Sequence, residues 1–179
     1  MSARVVQVSV SPGGVPKTAV EGARVGRLGL EGDGHRDLRH HGGPERAVCL
    51  YPMEMIDALV AEGHPVTPGA LGENLTVYGL PWKSVVPGVR LQIGEAVLLE
   101  VTRYTSPCRN IAGAFADGEY SRVSEKLRPG WSRVYARVLV EGSVRRGDAV
   151  RLVPLGGESG TGPTGAGAKR ADAGASVRG

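Results

Sequence analysis

Valines at positions 6, 8 and 10 alternate with polar residues near the start of the chain, with Val5 breaking strict alternation. A period of two predicts a strand over residues 3–10. SPGGVPK follows, a turn by its prolines and glycines. KTAVEGARVGRLGL reads as a hairpin or two short strands, and RAVCLY as an apolar strand. Pro52 then opens a helix at its first position, where a missing N–H costs least. Met53, Ile56, Leu59 and Val60 share one face of the segment 52–62, and Gly63 ends it. GENLTVYG is a glycine-bounded strand. PGVRLQIGEAVLLEVTRY gives two strands joined at Gly94-Glu95, and SPCRNIAGAF is a turn into a short helix over 109–115. EYSRVSEKL is a second helical stretch, with Val123 and Leu127 at helical spacing. WSRVYARVLVEGSVRRGDAVRLVPL supplies two closing strands around a Gly147-Asp148 turn. The pattern predicts a mainly β (α+β) fold with two or three short helices. Many short strands must hide their edges, which favours a closed or nearly closed, barrel-like sheet.

Composition sharpens this in three ways. With one Phe and two Trp, the core must come from Val, Leu, Ile and Ala. From about residue 156 the chain is Gly, Ala, Ser and Thr with almost no large apolar side chain, too little buried surface to offset ordering entropy. The division is therefore a domain over 1–155 and a disordered tail over 156–179. The net charge of +4 comes from scattered arginines, which suits a small anionic ligand and not nucleic acid. No apolar run is long enough to span a membrane, and the start of the chain carries no signal-peptide pattern. Two cysteines in dissimilar settings do not read as a disulfide framework. A reducing cytoplasm is the expected compartment.

Candidate chemistry lies in four stretches. Cys108 follows Pro107 at a strand end and precedes Arg109. A positive charge or a helix N-terminus favours the thiolate, the form that attacks sulfur donors and ligates soft metals. For Cys108 the residue alone favours a small buried hydrophobe, and its turn context after Pro107 brings the two readings into balance. Cys49, inside RAVCLY, reads as core. LEGDGHRDLRHHGGPE holds three of the four histidines, at 35, 40 and 41, with Asp33 and Asp37. Their spacing matches no common metal site; Gly42-Gly43 are better placed to bring N–H groups to an anion, with His41 and Arg46 adding charge. A plain polar turn explains the same residues equally well. Lys17 and Thr18, after the SPGGVP turn, are phosphate-contact candidates without a P-loop's spacing, set against a solvated hairpin turn. Asn74, in GENL, is an amide partner for a heterocycle or a turn residue.

In this order, VSPGGVPKTAV, GDGHRDLRHHGGPERAVCLYP, GALGENLTVYGL and GVRLQIGEAVLLEVTRYTSPCRNIAG resemble a MOSC domain, the family named for the molybdenum cofactor sulfurase C-terminal domain. The resemblance spans residues 3–154. It implies a β-barrel-like fold that binds molybdenum cofactor (molybdopterin) or handles sulfur for it. Cys108 matches the family cysteine, a molybdenum ligand in cofactor-bearing relatives and a sulfur carrier in sulfurases. Lys17 falls where relatives carry a basic residue near the pterin phosphate. His41, Gly42 and Gly43 match the HGG turn, and Asn74 the GEN asparagine. Three functions follow as expectations: reduction of N-hydroxylated small molecules on a Cys108-ligated molybdenum, with electrons from a partner protein; carriage of a Cys108 persulfide from a cysteine desulfurase; or a non-catalytic module binding an anion or protein. The chain shows no flavin, haem or iron–sulfur motif and has no room for a pyridoxal-phosphate domain. A low-complexity tail stands where bacterial reductase relatives often carry a helical extension.

Overall fold

The computed structural model describes residues 2–34 and 42–153. The expected tail, His35, Asp37, His40 and His41 lie outside them. In chain order the elements are β1 (Arg4–Val10), β2 (Thr18–Val20), β3 (Gly22–Gly26), β4 (Gly29–Leu30), β5 (Val48–Pro52), α1 (Met53–Ala61), β6 (Leu75–Tyr78), β7 (Arg90–Ile93), β8 (Val97–Tyr104), β9 (Val134–Val140), β10 (Gly142–Arg145) and β11 (Val150–Val153). Four 3₁₀ turns complete the secondary structure of the described residues. The alternating and apolar runs became strands, but the closing stretch read as two strands forms three, β9 to β11, because Gly142 divides it, and KTAVEGARVGRLGL likewise forms three, β2 to β4. The two expected helices at 109–115 and near 120 are instead 3₁₀ turns, Arg109–Ala114 and Tyr120–Val123. Glycines at 113, 118 and 130 and the proline at 129 leave no run in which α-helical hydrogen bonding could propagate.

The strands form an eight-stranded sheet, in the order β11-β7-β8-β9-β5-β6-β1-β2, and a three-stranded sheet, β10-β3-β4. Pairing is antiparallel except for β5 with β6. These run parallel because α1 carries the chain back between them, as parallel pairing requires. The mainly β fold is the one the pattern predicts, and the sheet is barrel-like only loosely, since it does not close. Its two ends are nevertheless bridged. Val5 N–H donates to the Asp148 carbonyl (2.8 Å), Gly147 N–H to Val5 (2.9 Å) and Val150 N–H to Ala3 (2.9 Å). These bonds cover part of the edge that the strand order leaves unpaired.

The core is aliphatic, as the composition requires, and both sheets contribute to one cluster: Val8, Leu50, Leu75 and Leu91 from the large sheet, Val25 and Val144 from the small one. The helix α1 buries Ile56 and Leu59, whereas Val60 is exposed. Gly63, at φ +94°, ends it: the His64 N–H returns to the Leu59 carbonyl and the Gly63 N–H to Val60. At the other end the Glu54 carboxylate accepts the Gly79 N–H at 2.6 Å, fastening the helix to the exit of β6. Among the described residues no helix is long and apolar enough to cross a membrane.

Gly29 places the small sheet hard against the backbone just before β5. Its φ is +126°, and a Cβ there would stand 2.5 Å from the Ala47 carbonyl oxygen. Gly88 has a similar φ of +92° with nothing within 4 Å. Gly88→Ala is therefore expected to cost about 1 kcal/mol, the backbone strain alone. Gly29→Ala adds a backbone clash and should cost at least about 2 kcal/mol more. Urea unfolding midpoints of the two variants check the difference.

Candidate functional site

The residues around a cavity of about 420 Å³ come from stretches distant in sequence: the 13–17 turn, Gly34, Gly42 with Arg46, strand β5, the 71–74 segment, the 106–111 loop and the start of β9. A volume of this size holds a cofactor-scale ligand. Lys17, Gly42, Arg46, Asn74 and Cys108 all line it. Thr18 opens β2 on an exposed position, Gly43 leads into the Pro44–Arg46 turn, and Arg109 is exposed at the start of its 3₁₀ turn; none of the three lines the cavity.

Its floor is a buried polar network. Lys17 Nζ lies 2.5 and 2.6 Å from the two oxygens of Asp33, and both side chains are almost wholly buried. Asp33 Oδ1 also accepts the Ser11 N–H (3.0 Å), and Oδ2 accepts Asn74 Nδ2 (2.8 Å). The second Asn74 donor reaches the Ser9 carbonyl at 3.2 Å, and its Oδ1 accepts the Cys49 N–H at 3.0 Å. The Asn74 N–H completes the pattern by donating to the Cys49 carbonyl. Asn74 thus extends the β5–β6 ladder with its side chain. Both its amide donors are already used, so it is a brace for the floor and not a free partner for a heterocycle. Lys17 likewise meets a full carboxylate. Asp33, which the sequence offers only as a metal-ligand candidate, is the group that ties these residues together.

The adjacent Glu73 has no exposed surface. Its Oε1 accepts the Gly69 N–H (2.6 Å) and the Thr76 hydroxyl (3.1 Å), while Oε2 is buried without a partner. Burial pushes this carboxyl above the usual carboxylate range, against the pull of the Gly69 bond and the Arg133 charge. Through Gly69, Glu73 also steadies Lys17, whose N–H donates to the Gly69 carbonyl at 2.9 Å.

Arg133 is the charged cavity residue that sequence reading misses; among scattered arginines, nothing in SRVYARV singles it out. It is 6% exposed, lines the cavity, and its Nη1 donates to the Leu71 carbonyl. Its position is set by two aromatic side chains. Tyr51 and Trp82 meet edge to face at 6.3 Å. The Tyr51 hydroxyl donates to the Trp131 carbonyl (3.0 Å) and the Trp82 indole to that of Ser132 (3.1 Å). Ser132 in turn donates to the Thr105 carbonyl, and the Thr105 N–H to that of Arg133. One braced segment thereby positions both Arg133 and the loop that leads to Cys108.

The two thiols line the same cavity with different exposure. Cys108 is partly exposed, with extended backbone, and its carbonyl accepts the Ile111 N–H at 3.1 Å. The expected helix N-terminus behind it is this short 3₁₀ turn. Cys49 is buried, and burial pushes its thiol up to about 11, so it stays protonated at neutral pH. It is core, as its apolar run predicts, and it is also cavity wall. Tyr135, opposite Cys49 in the β5–β9 pairing, is pushed up to about 12, first by burial. Among the described residues no three His, Cys, Asp or Glu converge as a metal site.

Comparison with known proteins bears on this arrangement. The model of the MOSC domain matches residues 37–151. YflK of Bacillus subtilis, an uncharacterized protein, is 38% identical over 73% of this chain and 58% of its own length. A protein of Gibberella moniliformis named "Reductase" is 33% identical over 70% of this chain and 22% of its own. The chain thus spans well under two thirds of these curated relatives. The crystal structure of YiiM from Geobacillus stearothermophilus is superposable with a TM-score of 0.63 at 28% identity, covering 85% of this chain and 75% of that one. The match over 37–151 takes in most of the residues that line the cavity, Gly42, Arg46, Cys49, Asn74, Cys108 and Arg133 among them, and the chain belongs to the MOSC domain family.

Proposed function

We propose that the cavity holds molybdenum cofactor with Cys108 as the protein ligand to the metal, and that the loaded protein reduces N-hydroxylated small molecules with electrons from a partner protein. The observation that carries this reading is the convergence on one cavity of a partly exposed thiol, a buried guanidinium and glycine-rich backbone from distant parts of the chain. The donor set suits the group. A thiolate is the soft ligand molybdenum takes. Gly13, Gly14 and Gly42 have positive φ and no side chain, so an anionic or flat ligand can approach their backbone closely. Arg133 supplies positive charge. When bound, the cofactor supplies a two-electron redox centre. The chain's own part would be to hold the metal through Cys108, keep Cys49 as a neutral thiol in the cavity wall, and fix the floor through Lys17, Asp33 and Asn74. The relative named "Reductase" is consistent with the redox assignment.

A second reading, carriage of a Cys108 persulfide from a cysteine desulfurase to a cofactor or client enzyme, is favoured by the partial exposure of Cys108. A carrier must present its sulfur to two partners in turn.

Molybdenum and pterin analysis of protein from a cofactor-competent host, wild type beside Cys108→Ser, tests the first reading. Near-stoichiometric metal in the wild type, with a loss of at least about tenfold in the variant, is expected. Metal and pterin absent from both would overturn it; a cyanide-labile sulfur on Cys108 after incubation with a desulfurase would then support the second. Thiol chemistry gives an independent check. At pH 8 a thiol titrating near 11 is about one part in a thousand thiolate. Iodoacetamide should therefore modify Cys108 quickly and Cys49 slowly, with the Cys49 rate rising about tenfold per pH unit up to that value. Peptide mass mapping after timed alkylation reads both rates.

A further inference from the structure

The cavity contains two buried side-chain cations whose surroundings differ. Lys17 faces both oxygens of Asp33 at 2.5 and 2.6 Å. For Arg133, the bond to the Leu71 carbonyl is the one hydrogen bond its guanidinium makes among the described residues. Its Nε is buried with no partner. A guanidinium has five N–H donors, and a buried charge left without a hydrogen-bonded counter-ion is costly. The unused donors belong to a side chain that is 6% exposed and lines the cavity. Arg133 therefore offers what an oxyanion needs, a planar array of donors in a site shielded from water.

Behind it stands Glu73. Arg133 rests on the backbone just before that residue: Nη1 bonds Leu71, and it would lie 3.8 Å from a Cβ on Gly72. Glu73 presents one oxygen to Gly69 and Thr76 and leaves Oε2 buried and unpartnered. The two side chains do not form a hydrogen-bonded pair, so Arg133 offsets the Glu73 charge only through space. We propose that Arg133 is the oxyanion subsite of the cavity, taking a phosphate- or sulfate-type group, and that Glu73 takes up a proton on Oε2 when the anion arrives. The inference rests on the cavity being the ligand site.

An anion on Arg133 removes positive potential that favours the ionised form of Glu73 and puts a second negative charge nearby. Burial already disfavours the carboxylate. The proton comes from solvent, and no bond is otherwise made or broken. The other titratable groups facing Glu73 come from β5: the Cys49 thiol and the Tyr51 hydroxyl, both raised by burial and neutral at physiological pH. The Lys17–Asp33 pair carries no net charge. Glu73 is thus the group whose charge must adjust. The sign follows: anion affinity is highest where Glu73 is already protonated, and falls as pH rises through its titration.

Isothermal titration of the cofactor-free protein with sodium sulfate, an anion that does not itself titrate between pH 6 and 8, tests this. Runs in two buffers of different ionisation enthalpy count the protons. Uptake of up to one proton is expected, with affinity weakening by as much as about tenfold per pH unit. Arg133→Gln should lose about tenfold or more in sulfate affinity. Glu73→Gln, which keeps the acceptor for Gly69, should bind sulfate with no proton uptake and a flat pH profile. If that variant does not fold, difference infrared spectroscopy of the wild type reads the same event as a carboxylate band replaced by a carboxylic-acid band on sulfate addition. Sulfate binding without proton uptake, unchanged binding in Arg133→Gln, or no sulfate binding by the wild type would each overturn the proposal. Cofactor content is measured separately, so a protein that loads molybdenum but fails the sulfate test sinks this inference alone, and the converse sinks the cofactor reading alone.

Discussion

The side-chain amide of Asn74 is the constraint on which the site depends. It replaces a ladder hydrogen bond with Cys49, holds the Ser9 carbonyl and donates to Asp33. Three strands, β1, β5 and β6, are thereby fixed at one point, and a buried carboxylate gains the donor it needs. Without it Asp33 would keep the Ser11 N–H and Lys17 but leave a buried oxygen underused, at a cost of about 1–3 kcal/mol. Its neighbour Glu73 does the parallel work on the other side, holding Gly69 and through it the Lys17 backbone. Two consecutive polar residues at the entrance of β6 therefore organise the cavity floor while neither is free to act as a simple ligand-binding group.

The opposite wall is held by aromatic side chains, although the chain has few. Tyr51 and Trp82 are buried for their area, and each uses its polar tip on the carbonyl of a residue just before Arg133. Ser132 and Thr105 carry that fixation across to the loop of Cys108. The thiol and the guanidinium consequently share a support. A change in the core beneath either aromatic residue would move both, so preorganisation of the site is coupled to packing and not confined to the groups that line it.

Much of this was legible in the sequence, and the remainder was hidden for identifiable reasons. Strands show because their side-chain period is two and glycines bound them; β5, β6 and β8 lie where the pattern puts them. The 3₁₀ turns read as helices because Val123 and Leu127 have helical spacing, which says nothing of whether the hydrogen-bond ladder can continue through the glycines that follow. The open sheet with bridged ends rests on hydrogen bonds between residues about 145 apart in the chain, which periodicity does not record. Lys17, Gly42, Arg46, Asn74 and Cys108 were legible as cavity residues through their order and motif context, whereas Thr18, Gly43 and Arg109 were drawn in as neighbours and fall outside its wall. Arg133 and the bracing role of Asp33 were not legible, because each depends on what the fold removes from water.

That last point separates charge from available charge. Sequence counts Lys17 and Arg133 alike, as cations able to meet an anion. Folding gives Lys17 a carboxylate in direct contact and gives Arg133 a backbone carbonyl and an uncontacted acid. A ligand anion meeting Lys17 would have to compete with Asp33, itself held by three donor groups. One meeting Arg133 displaces no side chain, since the guanidinium's unused donors already belong to a cavity wall. The same distinction applies to the thiols. Cys49 and Cys108 are identical groups lining one space, yet burial keeps one protonated while the other sits partly exposed at a loop. What the site can do chemically is set by the partners its charges lack and by how much water each group keeps.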